Sequence, residues 1–375
     1  MKVCIIGHTE RNYLPYIEKY TKFFDENSVD YDVVCWQREE RPENNTPNEY
    51  NFFEEAKEGA INKIRSYLNF KKYVLEILEK NKYDKVVILT TVPAIFLRKY
   101  LHTHFKNRYL FDFRDYSFEK FLPYKMIVDK IIDDSQITTI SSHGFMDFLS
   151  KNKKIVMNHN IPVGIEKAEP TDMKQKSVIN IGFVGGVRYY EENCALIRKL
   201  KNEFRYQLWY IGKPVSDCDL QSYCQENEIT NVSFIGKYIN SQKIELYKNM
   251  EMINSIYGDS SLEVTTALPN RLYEGCLLKK PIISSKGTFL GEVIERYHLG
   301  LAIDVDEDDV LKVINEYVDN FDMNLFNSGC EEFLADVKND EDALLGHLRQ
   351  FIKDKKPTKG KKNSNKSKTK GGIRC

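Results

Sequence analysis

Short apolar runs alternate along this chain with longer stretches in which apolar side chains recur every three or four positions. The runs have the length and density of strands buried on both faces, and the periodic stretches have the pattern of helices packed upon them. In the first half the strand candidates are Val3–Gly7, Tyr31–Trp36, Lys85–Leu89, Tyr109–Phe113, Ile137–Ser141 and Lys154–Met157, with helical periodicity at Leu14–Phe24, Glu54–Lys80, Ala94–Phe105 and Phe118–Ile132. A turn-rich segment follows at His159–Lys176, and the alternation restarts with strand candidates Val178–Val184, Tyr206–Ile211, Val232–Ile235, Met252–Ile256, Pro281–Ser284 and Leu301–Ile303. Strands that alternate with helices form parallel sheets. The predicted fold is therefore α/β: two Rossmann-like doubly wound domains facing a cleft, at residues 1–160 and 161–352, followed by a disordered basic tail at 353–375. The length of 375 residues exceeds the roughly 100–200 of an ordinary domain and agrees with this division.

Parallel sheets bind ligands at the carboxyl ends of their strands, so the loops there carry the functional information. Gly7 is followed by His8, Thr9 and Glu10, without the further glycines that let a backbone approach a pyrophosphate, and nicotinamide-dependent chemistry is not expected. The second domain opens differently, as IGFVGGVRYYEEN: a strand, then Gly185 and Gly186, then Arg188, then a helix. Free N–H groups at a glycine turn, a helix N-terminus and a guanidinium together suit a phosphate, although a tight turn with a surface arginine accounts for the same residues. In LPNRLYEGCLLKKPIISS a helix begins near Pro269 or Asn270, and Glu274 follows about one turn on. A carboxylate there is placed to accept hydrogen bonds from vicinal hydroxyls of a ribose, or to act only as a partner of the helix dipole.

The run PNRLYEG…KKPIIS resembles the motif P-N-K-L-[YF]-E-[YF]-x-x-x-G-K-P-[VI]-I of sugar-nucleotide-dependent glycosyltransferases with the GT-B fold, in the large retaining group that builds bacterial surface and capsular polysaccharides. FVGGVRYY, YIGKP and SFIGKY are similar to the family's loops earlier in the same domain, in the same order, so the resemblance covers about residues 180–290. It implies a nucleotide-diphosphate sugar as donor, with Glu274 on the ribose, Asn270, Arg271 and Leu272 at the diphosphate, and Gly185, Gly186, Arg188 and Lys213 supplying the remaining phosphate contacts. It implies no metal and no other cofactor, and an acceptor that is a glycan or a polyprenyl-linked sugar. The first domain is similar only in architecture; Arg114, Asp115 and His143 are its candidate catalytic residues. The chain departs from the pattern at Thr266, where fuller members carry a second glutamate, and contacts to the donor sugar are expected from Asp259, Ser260 or Ser261 instead. Alternatives of the same architecture are a UDP-sugar 2-epimerase and a catalytically degenerate scaffold.

Charge sharpens the picture. The formal net charge is +0, but residues 353–375 carry ten Lys or Arg against one Asp, leaving residues 1–352 with 45 basic and 54 acidic groups. Such a tail suits anionic lipid or nucleic acid, or is simply solvated; nucleic acid is not the expected partner. The stretch 57–78 sets Ile61, Ile64, Leu68, Leu75 and Leu78 beside Lys57, Lys63, Arg65, Lys71 and Lys72, and aromatic and basic residues alternate again in FEKFLPYKMIVDK. Both fit peripheral contact with an anionic membrane, and a helix packed on its own sheet would show the first stripe equally. No apolar run spans a bilayer and no signal peptide is evident, so the expected location is the cytoplasm, at the inner face of the membrane. The eight cysteines include no C-x-x-C pair and are expected reduced and mostly buried. Asp217 and Asp219 read as helix-capping residues, and neither the pair His102 and His104 nor the acidic run Asp304–Asp309 has metal-site spacing.

Overall fold

The structure is a computed structural model that describes residues 1–354 apart from 15, 39–47, 56–58, 116–117, 163, 166–167, 171, 215–218 and 240–241. Lys57, Asp217 and residues 355–375 of the tail therefore lie outside the described residues. Two parallel sheets organise the chain. The first contains β1 (Lys2–Ile6), β2 (Asp30–Gln37), β3 (Glu49–Phe53), β4 (Lys85–Leu89), β5 (Tyr109–Phe113), β6 (Ile137–Ile140) and β7 (Ile155–Met157), in the order β3-β2-β1-β4-β5-β6-β7. The second contains β8 (Ile179–Val184), β9 (Tyr206–Ile211), β10 (Val232–Ile235), β11 (Met252–Ser255), β12 (Ile282–Ser285) and β13 (Gly300–Ile303), in the order β10-β9-β8-β11-β12-β13. Both orders reverse direction beside their first strand, and each reversal opens a crevice at the strand carboxyl ends. This is the two-domain Rossmann-like GT-B arrangement predicted.

The strands read clearly because helices cover both faces of the sheets. Every residue of β4 and β5 is buried, including Lys85 and Asp112. On one face of the first sheet lie α2 (Ala60–Asn81), α3 (Thr91–His104) and α4 (Leu122–Asp134), contributing Phe70, Val74, Leu97, Leu101, Val128 and Ile131 to the core. On the other lie α1 (Ile17–Glu26) and the end of a 31-residue helix, Met323–Lys353. That helix, numbered here α12 for its place in the chain, begins against the second sheet through Phe326, Cys330 and Phe333. Its end delivers Leu344, Leu348 and Phe351 to the core of the first domain. This helix thus belongs to both cores and straps the domains together.

Candidate functional site

At the carboxyl end of β8 the chain turns sharply at Gly185, with φ of +141°, and at the end of β9 it turns again at Gly212, with φ of +140°. The turns nest: a Cβ on Gly212 would lie 1.8 Å from the carbonyl oxygen of Gly185. A Cβ on Gly185 would lie 3.0 Å from a guanidinium nitrogen of Arg271. Only glycine fits this combination of backbone angle and crowding. The Gly185 N–H bonds to the Ile211 carbonyl, so this donor of the glycine pair serves the sheet, whereas Gly186, Arg188 and Lys213 stand exposed at the rim.

Helix α9 (Asn270–Leu278) starts below these turns. Pro269 at its N-cap makes no side-chain cap, and Asn270 is exposed, leaving the positive end of the helix facing the rim. Arg271 is buried: its Nε donates to the Val184 carbonyl at 3.1 Å, another nitrogen donates to the Tyr257 hydroxyl at 2.6 Å, and its guanidinium lies 3.6 Å from the centre of the Phe183 ring. It braces the floor of the turn. Leu272 is fully buried in the core of the second domain, so only its backbone can face a ligand. Glu274 is 3% exposed and doubly held, by an ion pair with Lys243 of α7 (Lys243–Lys248) and by the Tyr247 hydroxyl donating at 2.8 Å. Tyr238 is close enough for Glu274 to raise its pKa, after burial.

Across the cleft, Asp115 stands at the start of the loop after β5. Its carboxylate opens to water between the domains, and burial pushes its pKa up; Arg114 opposes this, Asp112 reinforces it, and Arg188 of the second domain opposes it. Glu263 of α8 (Leu262–Thr266) is pushed up by burial and by Asp115 and drawn down by Arg188. Two carboxylates and one guanidinium, drawn from both domains, therefore share the cleft. Glu263 lies three residues before Thr266, where the sequence pattern lacks its glutamate; Thr266 itself is buried, and its carbonyl accepts from Ser142 Oγ at 2.5 Å. No motif flagged Glu263, because its meaning depends on the first domain standing opposite. His8, at the crevice of the first sheet, was likewise unmarked by any pattern. Its ring contacts the Thr90 hydroxyl at 3.0 Å, and burial, then Arg38, push its pKa down to about 4.

The other two acceptor-side candidates are engaged by other partners. Arg114 is buried against Asp112 at 2.8 Å and donates to Asn158 O at 3.2 Å and Asn160 Oδ1 at 2.6 Å, fastening the chain where it crosses between domains. His143 is exposed and lies 3.6 Å from Asp340 of α12, the residue that also meets His159 of the crossing segment. Among the described residues no group of three or more His, Cys, Asp or Glu is placed to hold a metal ion. Asp219 caps its helix by accepting from the Ser222 N–H at 3.0 Å.

No protein-family model matches the chain, and no curated protein sequence matches it. Solved structures do. Sucrose-phosphate synthase from Thermosynechococcus elongatus superposes with a TM-score of 0.71 at 11% identity, over 94% of this chain and 98% of that one. Anabaena HepE, solved with UDP and glucose, gives 0.62 at 12% identity over 94% and 99%. The apo lipopolysaccharide outer core galactosyltransferase WaaB gives 0.61 at 16% identity over 94% and 99%. The likeness spans both domains and is one of fold.

Proposed function

We propose that this chain is a glycosyltransferase that moves a sugar from a nucleotide-diphosphate donor, held by the second domain, to an acceptor held by the first. The observation that carries the reading is the convergence of three features at one edge of the cleft: the nested glycine turns, the uncapped start of α9, and the buried carboxylate of Glu274. The fold supports it, since its solved counterparts include a galactosyltransferase and a protein holding UDP and glucose.

The ribose hydroxyls bond to Glu274, exchanging with Lys243, and the diphosphate lies at Asn270 and the backbone of Arg271 and Leu272. Exposed Arg188 and Lys213 close on it from the glycine turns. Charge that builds on the departing diphosphate meets these cations and the helix start, which are already oriented toward it, so no metal is required. Closure of the cleft excludes water while an acceptor hydroxyl approaches. Asp115 and Glu263 orient sugar hydroxyls from the two sides, and the leaving phosphate receives the acceptor proton, with retention at the transferred carbon. The acceptor is a glycan or polyprenyl-linked sugar of a surface polysaccharide, reached at the inner face of the membrane.

A thermal-shift panel of nucleotide sugars, followed by mass spectrometry of products, tests this. A donor present at a hundredfold its Kd should raise Tm by about 5–10 °C. Failure of every nucleotide sugar and nucleoside diphosphate to stabilise the protein would overturn the proposal, and a sugar product inverted at C2, formed without acceptor and seen by proton NMR, would identify 2-epimerisation instead.

A further inference from the structure

Helix α2 is apolar on two opposite faces. At about 100° per residue, Ser66, Phe70, Val74 and Ile77 form the stripe buried on the sheet, while Ile61, Ile64 and Leu68 lie on the opposite side. They are 83%, 55% and 50% exposed. The stripe in residues 57–78 that a core-packed helix would explain is therefore, in its first half, not core. Helix α4 repeats the arrangement: Val128 and Ile131 face the sheet, whereas Leu122 and Met126 point outward and are 66% and 64% exposed, with Phe118 and Phe121 exposed just ahead of them.

These residues share one surface. Helices α2, α3 and α4 cover the same face of the first sheet, and Tyr67 of α2 stacks on Phe96 of α3 with ring centres 5.2 Å apart. In parallel α/β units a helix starts near the carboxyl end of the preceding strand, so the apolar first halves of α2 and α4 lie toward the cleft. Asp115 is three residues from Phe118 and six from Phe121. Between α3 and α4 the surface sinks into a cavity of about 540 Å³, lined by Pro123, Met126 and Ile127 together with Arg98, Lys99 and the ion pair of Lys130 with buried Asp134.

The exposed charge around the apolar first halves of these helices is basic, while the exposed acids Glu76, Glu79 and Asp133 lie toward the far ends of α2 and α4 and Asp115 stands at the cleft. Residues 59–75 and 91–104 contain no Asp or Glu, and residues 118–128 contain only Glu119, which is buried. The same segments carry Lys63, Arg65, Lys72, Arg98, Lys99 and Lys120 exposed. An exposed apolar patch of this extent marks an interaction surface, and cations interleaved through it without acids select an anionic partner. A soluble protein partner would leave this density of cations to be matched by its own acids, whereas an anionic lipid surface satisfies both the apolar and the cationic side chains at once. We infer that the outward face of α2, α3 and α4 docks on an anionic lipid bilayer, with Ile61, Ile64, Leu68, Leu122 and Met126 entering the headgroup boundary and the mouth of the cleft held beside the membrane. The inference stands on this surface alone and does not depend on the glycosyl-transfer reading.

The test is co-sedimentation of the full chain with vesicles of phosphatidylcholine, with and without phosphatidylglycerol, beside Ile64→Asp/Leu68→Asp, Leu122→Asp/Met126→Asp, Lys99→Gln, and a chain ending at residue 354. The substituted sites are exposed, so unchanged circular dichroism and Tm are expected. Wild type should bind only the anionic vesicles; each apolar double variant should lose binding at least tenfold, and Lys99→Gln about fivefold, with binding of the shortened chain weakened but retained. Binding that the surface variants leave unchanged, or that disappears wholly with residues 355–375, would overturn the inference. So would a dimer in the absence of vesicles that the same variants dissociate.

Discussion

The environment of Glu274 makes its replacement by Gln the most informative perturbation. The carboxylate is almost fully enclosed and has two partners, Lys243 and Tyr247. The amide can still accept from Tyr247, but its other end cannot neutralise Lys243. Removing one member of a buried pair costs about 3–5 kcal/mol when the remaining charge is trapped. The Lys243 side chain is 16% exposed and can carry its ammonium outward along its own stem, so about 2–3 kcal/mol is expected, a fall in Tm of roughly 4–12 °C. Lys243→Met leaves the carboxylate with Tyr247 only and should cost a similar amount, while the double substitution should recover much of the loss because the two side chains contact each other. Nucleotide binding separates their roles. If ribose hydroxyls donate to Glu274, Glu274→Gln loses charge-assisted bonds and weakens a nucleoside diphosphate by ten- to a hundredfold. Lys243→Met removes only the group with which ribose must exchange, and should bind nucleotide as well as wild type or better. Calorimetric titration of each folded variant decides the matter; Glu274→Gln binding with unchanged Kd would refute the reasoning, whatever happens to Tm.

Three further outcomes follow from the geometry. Gly212→Ala drives a methyl into the Gly185 carbonyl at a positive φ and should cost at least about 3 kcal/mol, whereas Gly236→Ala, in open space, should be near neutral; equal urea midpoints would disprove the nested turns. Lys85 is buried and pushed down to about 8, chiefly by burial, so the folded state disfavours its proton, and stability should increase as pH rises from about 8 toward the unfolded value near 10.5. Lys85→Met should match or exceed wild type at pH 7 by at most about 3 kcal/mol and should lack that alkaline rise; thermal melts across the window check both. Arg188→Ala removes a cation that lowers both Asp115 and Glu263, so their carboxyl titrations should move to higher pH, by carbon NMR in the free protein and in the acidic limb of any activity profile; unmoved titrations would break the link across the cleft.

Much of the fold was legible because parallel strands buried on both faces leave unbroken apolar runs. β3 escaped this rule: Glu49–Phe53 lies at the sheet edge, half-buried to exposed, and its sequence EYNFF carries no such run. The α12 strap was hidden for a different reason. An amphipathic stripe tells that a helix is packed but not against which core, and Leu344 and Phe333 belong to the same stripe while entering different domains. Site residues divide similarly. The candidates Gly185 and Glu274 are marked by local order around a turn and a helix start, and the structure sets them at a turn and in a helix there. Glu263 and His8 are defined only by what the fold sets near them, and Arg114, a charged residue just after a strand, gives no sequence sign that Asp112 holds its guanidinium.

That buried arginine belongs to a polar hinge which bears on how the cleft could close. His159 contacts the Tyr273 hydroxyl and Asp340, each at 2.9 Å, and Lys19 reaches the His159 carbonyl at 2.5 Å and Glu341 at 2.7 Å. Arg114 holds Asn158 and Asn160 on either side. Interfaces built from hydrogen bonds and ion pairs exchange partners with water at little cost and let domains rotate, whereas a continuous apolar seam resists rotation. Each apolar core cluster here stays within one domain apart from the ends of α12 and a few half-buried side chains, so motion is directed through a small set of polar contacts. Tyr273 directly precedes Glu274 in α9, so any rotation that shifts His159 or Asp340 acts on the helix that carries the proposed donor-binding carboxylate. Burial lowers the pKa of His159 while Asp340 opposes, and the ring is neutral near pH 7. Protonation below that range would make both ring nitrogens donors, favouring Asp340 and leaving Tyr273 only its acceptor lone pairs for the bond. These contacts thus connect the first domain to α9 by hydrogen bonds that can be remade in a second arrangement, the property that the proposed closing cleft requires.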